Sequence, residues 1–231
     1  PDILEQLTGT YAVQMTIAMI QTVPLLGELE SVSTVFAFIE IRESEPGQLI
    51  MVETGCGARS STGNAIDVVI PEAIPRSIES TNSPITVWEE DGVIQWSRAT
   101  AAVAIGVRLS DPMNEVLPTD PNDSRIWDQD GDGNPGVTVN VSGFASGDLY
   151  IIQKQISSWR GTVSDEGQLE GLITDNSEQV VIGSTNPLLN QQIPSRPNPD
   201  PSLSFLRTVR MDARNNCDWL LENENQLFSG E

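Results

Sequence analysis

Residues 127–141 read WDQDGDGNPGVTVNV, an acidic segment that runs directly into an alternating apolar segment. Asp128, Asp130 and Asp132 stand two positions apart, and a glycine follows the second and the third of them. Three carboxylates this close repel one another unless a cation lies between them. Oxygen ligands of this kind suit Ca²⁺, which accepts about six to eight oxygens in a flexible shell. The stretch therefore predicts a calcium-binding loop that leads into a β-strand.

The pattern Asp-x-Asp-x-Asp-Gly at 128–133 resembles the first half of an EF-hand loop, and of the EF-hand-like repeats of thrombospondin type 3 and dockerin modules. The resemblance implies that the three aspartates donate side-chain oxygens and that Asn134 donates its backbone carbonyl. The second half departs from the pattern, because the ninth position is Gly136 and the twelfth, normally a bidentate Glu, is Val139. The run Asp-Gly-Asp-Gly-x-Pro-Gly-Val-Thr is also similar to a segment of uncharacterised secreted bacterial β-proteins.

The missing calcium ligands have to come from outside the loop. Residues 137–141 alternate as a strand, so a loop running into a strand is favoured over a helix-loop-helix hand. Acidic residues elsewhere in the chain are the candidates for the remaining ligands: Asp123, Asp148, Asp175 and Glu178. The alternative is an acidic turn in which Asp and Gly serve turn geometry alone.

The charge balance limits the partners. The formal net charge is −21, from 33 acidic and 12 basic residues, with no histidine. Such a surface repels nucleic acid and anionic membranes, so we expect neither as a partner, whereas divalent cations and basic proteins are compatible with it. A contribution to solubility alone is an equally good explanation of the charge. Without histidine, nucleophile–base pairs of the Ser-His or Cys-His type are excluded.

The two cysteines and the hydropathy pattern bear on the cellular location of the protein. Cys56 and Cys217 predict one disulfide that closes a very long loop, with free buried thiols as the alternative. A disulfide, a calcium loop and the near-absence of lysine favour an extracellular, periplasmic or cell-surface location. No apolar run approaches the ~20 residues that span a bilayer. The chain begins at Pro1 rather than methionine, which is consistent with a removed signal peptide or lipidated leader.

Short alternating segments separated by Gly, Asp, Asn and Pro dominate the rest of the chain. They predict an all-β fold, an antiparallel meander that closes into a barrel or packs as a sandwich. The predicted strands are 7–17, 33–43, 48–53, 65–70, 85–88, 93–109, 137–141, 148–155, 158–163, 168–173, 179–182 and 203–211, with a short helix at 218–228. The Thr-Gly-Thr-Tyr segment at 8–11 is similar to the first strand of lipocalin-like barrels.

We expect a single domain, 1–231, with two long irregular segments. The acidic connection 110–136 carries the aspartate loop at its end, and connections of this length are usually functional or mobile. The proline-rich loop 184–202 cannot form a central strand, so we expect it to be extended and exposed, either as a spacer or as a docking arm for a neighbouring copy. Across the Asp91-Gly92 turn we expect Trp88 to pair with Trp96, as core aromatics or as ligand-stacking rings.

Three functions are compatible with these features. The first is a secreted or cell-surface, calcium-stabilised β-domain that acts as a structural or interaction protein and assembles with other proteins or with itself. The second is a lipocalin-like small-molecule carrier, whose interior would be lined by Trp96 and Phe38. The third is a carboxylate-dependent glycoside hydrolase. We expect no enzymatic activity, since the sequence contains no nucleophile elbow, phosphate-binding loop or dinucleotide fingerprint.

Overall fold

The structure is a computed structural model that describes residues 3–212 and 215–229. Pro1, where a leader would have been removed, lies outside the described residues. These described residues contain three α-helices and a 3₁₀ turn besides the strands: α1 Ile3–Leu7, α2 Ala73–Ser77, α3 Cys217–Leu227 and the turn Pro201–Leu203. The strands are β1 Gly9–Val23, β2 Gly27–Glu45, β3 Gln48–Thr62, β4 Ile66–Ile70, β5 Asn82–Glu90, β6 Val93–Ile105, β7 Val137–Gly143, β8 Gly147–Val163, β9 Leu169–Asp175, β10 Glu178–Ser184, β11 Ser195–Pro197 and β12 Phe205–Met211.

Eight of the strands pair in a closed ring. The order is β1-β2-β3-β5-β6-β8-β9-β12 and back to β1, and every pairing is antiparallel. Ring closure removes the exposed edges of the sheet, which is how up-and-down barrels avoid unpaired strands. The all-β prediction is confirmed, and of the two architectures it left open the molecule adopts the barrel.

Four short strands extend the ring at one end. At this end β3 leaves its ring partner β5 and pairs with β4 instead. In the same way, β8 pairs with β7 and β10 instead of with its ring partners β6 and β9. On β1 the strand β11 follows β12, and β4 also pairs with β7. Within the described part of the chain no pairing joins β10 to β11. We call β4, β7, β10 and β11 the barrel extension.

Alternate residues of the ring strands fill the barrel interior. Tyr11, Trp96 and Leu206 are among the fully buried side chains of this core. The Trp96 ring fits because Gly161 and Gly171 lie opposite each other beside it, and a Cβ on Gly171 would come within 3.1 Å of the ring. The interior at this level is therefore occupied by packed side chains.

Two predictions about aromatic residues are wrong. Phe38 does not line the interior but packs on the outside of β2 with the cluster beneath α3. Trp88 is opposite Gln95, while Trp96 is opposite Val87, so the two tryptophans point to opposite faces of the sheet. A shift of one residue in strand register reverses the face on which a side chain lies.

The disulfide between Cys56 and Cys217 is confirmed, with Cα atoms 4.9 Å apart and a sequence separation of 161. It joins β3 to the start of α3, the helix predicted at the C-terminal end. Asn216 caps this helix, since its side chain accepts a hydrogen bond from Trp219 N at 2.9 Å. Leu220 is completely buried against the barrel wall.

The proline-rich segment lies against its own chain. Ser195–Pro197 pairs with β1, and most of the surrounding residues are exposed. The side-chain amide of Gln192 accepts from Val181 N at 3.0 Å and donates to Val181 O at 2.7 Å. Since the open edge of β10 would otherwise present these groups to another strand, the glutamine protects that edge.

Candidate metal centre

The aspartate loop is closed at its base by two backbone hydrogen bonds. Gly136 N donates to Trp127 O, and Gln129 N donates to Gly136 O, both at 3.1 Å. Gly131 and Gly133 have φ angles of 75° and 88°, a left-handed conformation that glycine adopts at little cost. The acidic segment is therefore a compact loop whose second end leads directly into β7.

The Gln129 side chain bonds this loop to two segments that lie between strands of the sheet. Its side-chain oxygen accepts from Gly106 N at 2.7 Å, just after β6. Its side-chain nitrogen donates to the Ser77 hydroxyl at 3.1 Å, at the end of α2. The loop is thus held where β6 gives way to β7 and where α2 separates β4 from β5.

The three carboxylates converge. Asp128, Asp130 and Asp132 each offer one oxygen to a group whose atoms all lie within 4.8 Å of one another. The first two are half-buried and the third is exposed. Negative charges at this separation repel one another, and a divalent cation between them converts the repulsion into attraction.

Hydrogen bonds within the loop leave acceptor sites free. Asp128 accepts from three backbone N–H groups, those of Gly131, Asp132 and Gly133. Asp132 accepts from the backbone N–H and the side-chain amide of Asn134, at 2.8 and 3.0 Å. Since a carboxylate offers about four lone-pair sites, both groups retain capacity for a metal ion.

Asp130 is the least satisfied of the three carboxylates. Its Oδ2 accepts from Thr138 N at 2.9 Å, whereas its Oδ1 is buried without a hydrogen-bond partner. Burial raises the pKa of Asp130, and the charges of Asp132 and Asp128 add to this effect. A cation at Oδ1 would supply the missing partner and offset both causes.

Thr138 is absent from the ligands predicted from the sequence. It is 7% exposed, and its Oγ1 is buried without a hydrogen-bond partner. Desolvation acts to raise the pKa of Asp132, but the Thr138 side chain and the hydrogen bonds of Asn134 lower it below its usual range. The hydroxyl therefore lies beside Asp132 without the geometry of a hydrogen bond. In the sequence Thr138 stands between two valines of the alternating run 137–141, which places it on the face opposite to theirs, but the pairing of β7 determines that this face meets the loop.

Two of the four additional ligands expected from the sequence are engaged with neighbours in the chain. Asp123 forms an ion pair with Arg125 at 2.9 Å, and hydrogen bonds from Arg125 lower the pKa of Asp123 to about 2. Asp148 accepts from the side-chain amide of Asn140 at 2.7 Å. Neither carboxylate is in the group of three.

The other two flank the turn between β9 and β10, Asp175 as the last residue of β9 and Glu178 as the first of β10. Asp175 accepts from the Ser177 hydroxyl at 2.7 Å, and burial raises its pKa. Glu178 pairs at 3.2 Å with Lys154, the only lysine of the chain. These residues are also outside the group. The prediction for Asn134 concerns its backbone carbonyl and stays a prediction.

The available donors are all oxygens. The chain has no histidine, and its two cysteines are joined in the disulfide. Thiolate and imidazole favour zinc or copper, whereas carboxylate, hydroxyl and carbonyl oxygens favour hard cations. The residues present therefore fit a hard divalent ion.

A shallow groove lies on the outside of the barrel. It encloses about 700 Å³ and is lined by residues of β5, β6, β8, β9 and β12. Trp88 at its rim is 40% exposed. Arg160 and Glu170 line it as well, and neither has an ion-pair partner in the described part of the chain.

Comparison of the chain with protein-family models, with curated proteins and with solved structures finds no match. Among residues 3–212 and 215–229, no helix has the length and apolar character needed to cross a membrane.

Proposed function

We propose that the loop 128–134 binds one Ca²⁺ ion and that the ion stabilises the barrel. Two observations carry this proposal: one oxygen from each of three carboxylates lies within 4.8 Å of the others, and Oδ1 of one of these residues, Asp130, is buried without a hydrogen-bond partner. Calcium is favoured over magnesium because the Asp-x-Asp-x-Asp-Gly spacing resembles that of calcium loops, whereas Mg²⁺ demands a near-ideal octahedral shell and usually keeps several waters.

The physical role of the ion follows from where the loop is attached. The loop contacts the end of β6, the end of α2 and the start of β7 through Gln129 and Asp130. An ion that cancels carboxylate repulsion fixes these three elements relative to one another. Binding to the folded state alone stabilises it by about 2.7 kcal/mol at a free ion concentration of 100 times Kd.

We further propose that the protein is a secreted or cell-surface structural domain that assembles with another protein or with itself. A disulfide between residues 161 positions apart supports an oxidising compartment. A site with three charged ligands and an incomplete loop is suited to the millimolar calcium of extracellular fluids. A net charge of −21 favours basic partner surfaces, or acidic ones bridged by cations.

Replacement of Asp130 by Asn tests the site. Because the change removes one charged ligand, we expect calcium affinity to fall at least about tenfold. Calcium should raise the Tm of the unmodified protein by about 5–10 °C over chelator, and this gain should shrink in the variant. Isothermal titration calorimetry and thermal melts measure both quantities.

Asp165→Asn is the matched control, since Asp165 is an exposed aspartate in the turn between β8 and β9. It removes the same charge away from the loop and should leave both measurements unchanged. Equal affinities for the unmodified protein and the Asp130→Asn variant would contradict the assignment.

The outer groove favours ligand binding as a second function. An exposed indole beside an arginine and a glutamate without ion-pair partners can stack on and hydrogen-bond to a small polar ligand. Glu90 and Glu170, the groove's two carboxylates, lie on β5 and β9, which are separated in the ring by β6 and β8. Tryptophan fluorescence of the Trp88→Phe variant during ligand titration tests this candidate.

A further inference from the structure

Buried side-chain atoms without hydrogen-bond partners are concentrated at one place in this protein. The described residues contain three: Arg98 Nε, Asp130 Oδ1 and Thr138 Oγ1. Native proteins leave few buried polar groups unpaired, so each such atom requires a reason. Two of the three belong to residues that are hydrogen-bonded to each other, since Thr138 N donates to Asp130 Oδ2 at 2.9 Å.

The alternation of β7 determines which residue after the loop can reach the ion. Val137 and Val139 are buried in the apolar cluster of the barrel extension. Since successive side chains of a strand point to opposite faces, Thr138 faces the loop while both valines face the interior. The twelfth loop position therefore points away from the site, and the eleventh points towards it.

We infer that the hydroxyl oxygen of Thr138 is a ligand of the bound Ca²⁺. In an EF-hand the last ligand is a glutamate at the twelfth position, whereas here it would be a strand residue at the eleventh position. The inference rests on the proposed function of the same loop. Asp130 Oδ1 and Thr138 Oγ1 are then the two oxygens that the ion satisfies in the buried half of the site. Asp128, which is half-buried, and Asp132, which is exposed, contribute the remaining carboxylate oxygens.

Threonine is suited to this position. Its branched Cβ restricts χ1, so the hydroxyl is held in place before the ion arrives. A neutral ligand keeps the number of carboxylates at three, and ligand charge tunes calcium affinity. Because Thr138 pairs with Tyr150 of β8, ligation would connect the ion directly to the sheet rather than to the loop alone.

Thr138→Val is the decisive variant, because valine has nearly the same shape and lacks the oxygen. We expect its Tm in chelator to equal or exceed that of the unmodified protein, since an unpaired buried hydroxyl is removed. Its calcium affinity should fall at least about tenfold, the scale on which even outer-shell partners alter metal binding. Thr138→Ser, which retains the oxygen, should bind calcium with an affinity close to that of the unmodified protein.

A count of ion-bound water separates ligation from a purely structural effect. Luminescence decay of Tb³⁺ bound in place of Ca²⁺, compared in H₂O and D₂O, should show about one additional coordinated water in Thr138→Val, because water fills the position that the hydroxyl leaves. Thr86→Val, an exposed threonine on β5, is the control and should change neither affinity nor water count.

The possible outcomes distinguish this inference from the proposed function. Unmodified affinity and water count in Thr138→Val would overturn the role of Thr138 and leave the calcium site intact. An unmodified protein that binds neither Ca²⁺ nor Tb³⁺ would overturn the proposed function itself. If the valine variant does not fold, Thr138→Ala and Thr138→Ser provide the same comparison.

Discussion

At the scale of single residues, the oxygens of the candidate metal site have two origins: the local sequence pattern supplies the carboxylates, and the tertiary structure positions Thr138. Asp128, Asp130 and Asp132 lie within one short loop, and one oxygen of each lies within 4.8 Å of the others. The contribution of Thr138 depends on the face of β7 on which it lies, which is fixed only when β7 pairs with β4 and β8. The sequence therefore predicts the three carboxylates but not the fourth oxygen.

Asp175 gives a pH-dependent prediction away from the loop. Burial raises its pKa, so the folded state holds the proton more tightly than the unfolded state does. Stability from this residue is therefore fully present below the unfolded pKa of about 3.9 and decreases as pH rises through the folded value. We expect Asp175→Asn to be more stable than the unmodified protein at neutral pH, and the difference to vanish at about pH 3.

Urea unfolding of both proteins across this pH range measures the effect. Asp175→Asn retains an oxygen that can accept from the Ser177 hydroxyl, so the hydrogen bond is preserved. A variant that is less stable at neutral pH would show that the ionised carboxylate contributes more through its hydrogen bonds than it loses through burial.

At the scale of elements, Gln129 connects the aspartate loop to parts of the fold that are distant in sequence. Its side chain contacts Gly106 and Ser77. We expect removal of calcium to increase amide hydrogen exchange at the end of β6 and in α2, because loosening the loop loosens both attachments. In Gln129→Ala the exchange in α2 should be fast with or without calcium.

Hydrogen–deuterium exchange measured by mass spectrometry checks this coupling. The β1–β2 hairpin lies in the ring, and we expect its exchange to be unaffected, which makes it an internal reference. Exchange in α2 that responds to calcium equally in Gln129→Ala and in the unmodified protein would contradict the role of the glutamine.

The disulfide supports a second prediction at this scale. Cys56 and Cys217 close a loop of 161 residues, for which the chain-entropy relation gives a stabilisation of about 5 kcal/mol. We expect the double variant Cys56→Ser/Cys217→Ser to lose a large part of this free energy of unfolding, with α3 detaching first. Chemical denaturation and proteolysis near residue 217 measure the two effects, and unchanged stability would contradict the prediction.

Sequence patterns predict most strands of the ring. They do not predict where a strand changes its pairing partner between the ring and the barrel extension. The run 93–109 was expected to be one strand, yet β6 ends at Ile105, and Val107 instead bridges to Ile126 in the long connection. Likewise, β3 pairs with β5 over its first part and with β4 over its last part. Period-two alternation continues through such a change of partner, so hydropathy alone does not reveal it.

At the scale of the whole molecule, the acidic surface determines how much the proposed ion would contribute to stability. A net charge of −21 opposes compaction, and the loop concentrates part of that charge where β6, α2 and β7 meet. The barrel itself is closed by backbone pairing and the disulfide. We therefore expect the protein to remain folded in chelator and to be stabilised by calcium, rather than to depend on the ion for folding.

A crystal structure determined from crystals grown in millimolar calcium tests the central claim most directly. We predict one strong density peak within about 2.3–2.6 Å of carboxylate oxygens of Asp128, Asp130 and Asp132, with Thr138 Oγ1 in the same shell. A loop that holds only water under these conditions, with the three carboxylates turned into solvent, would contradict the account.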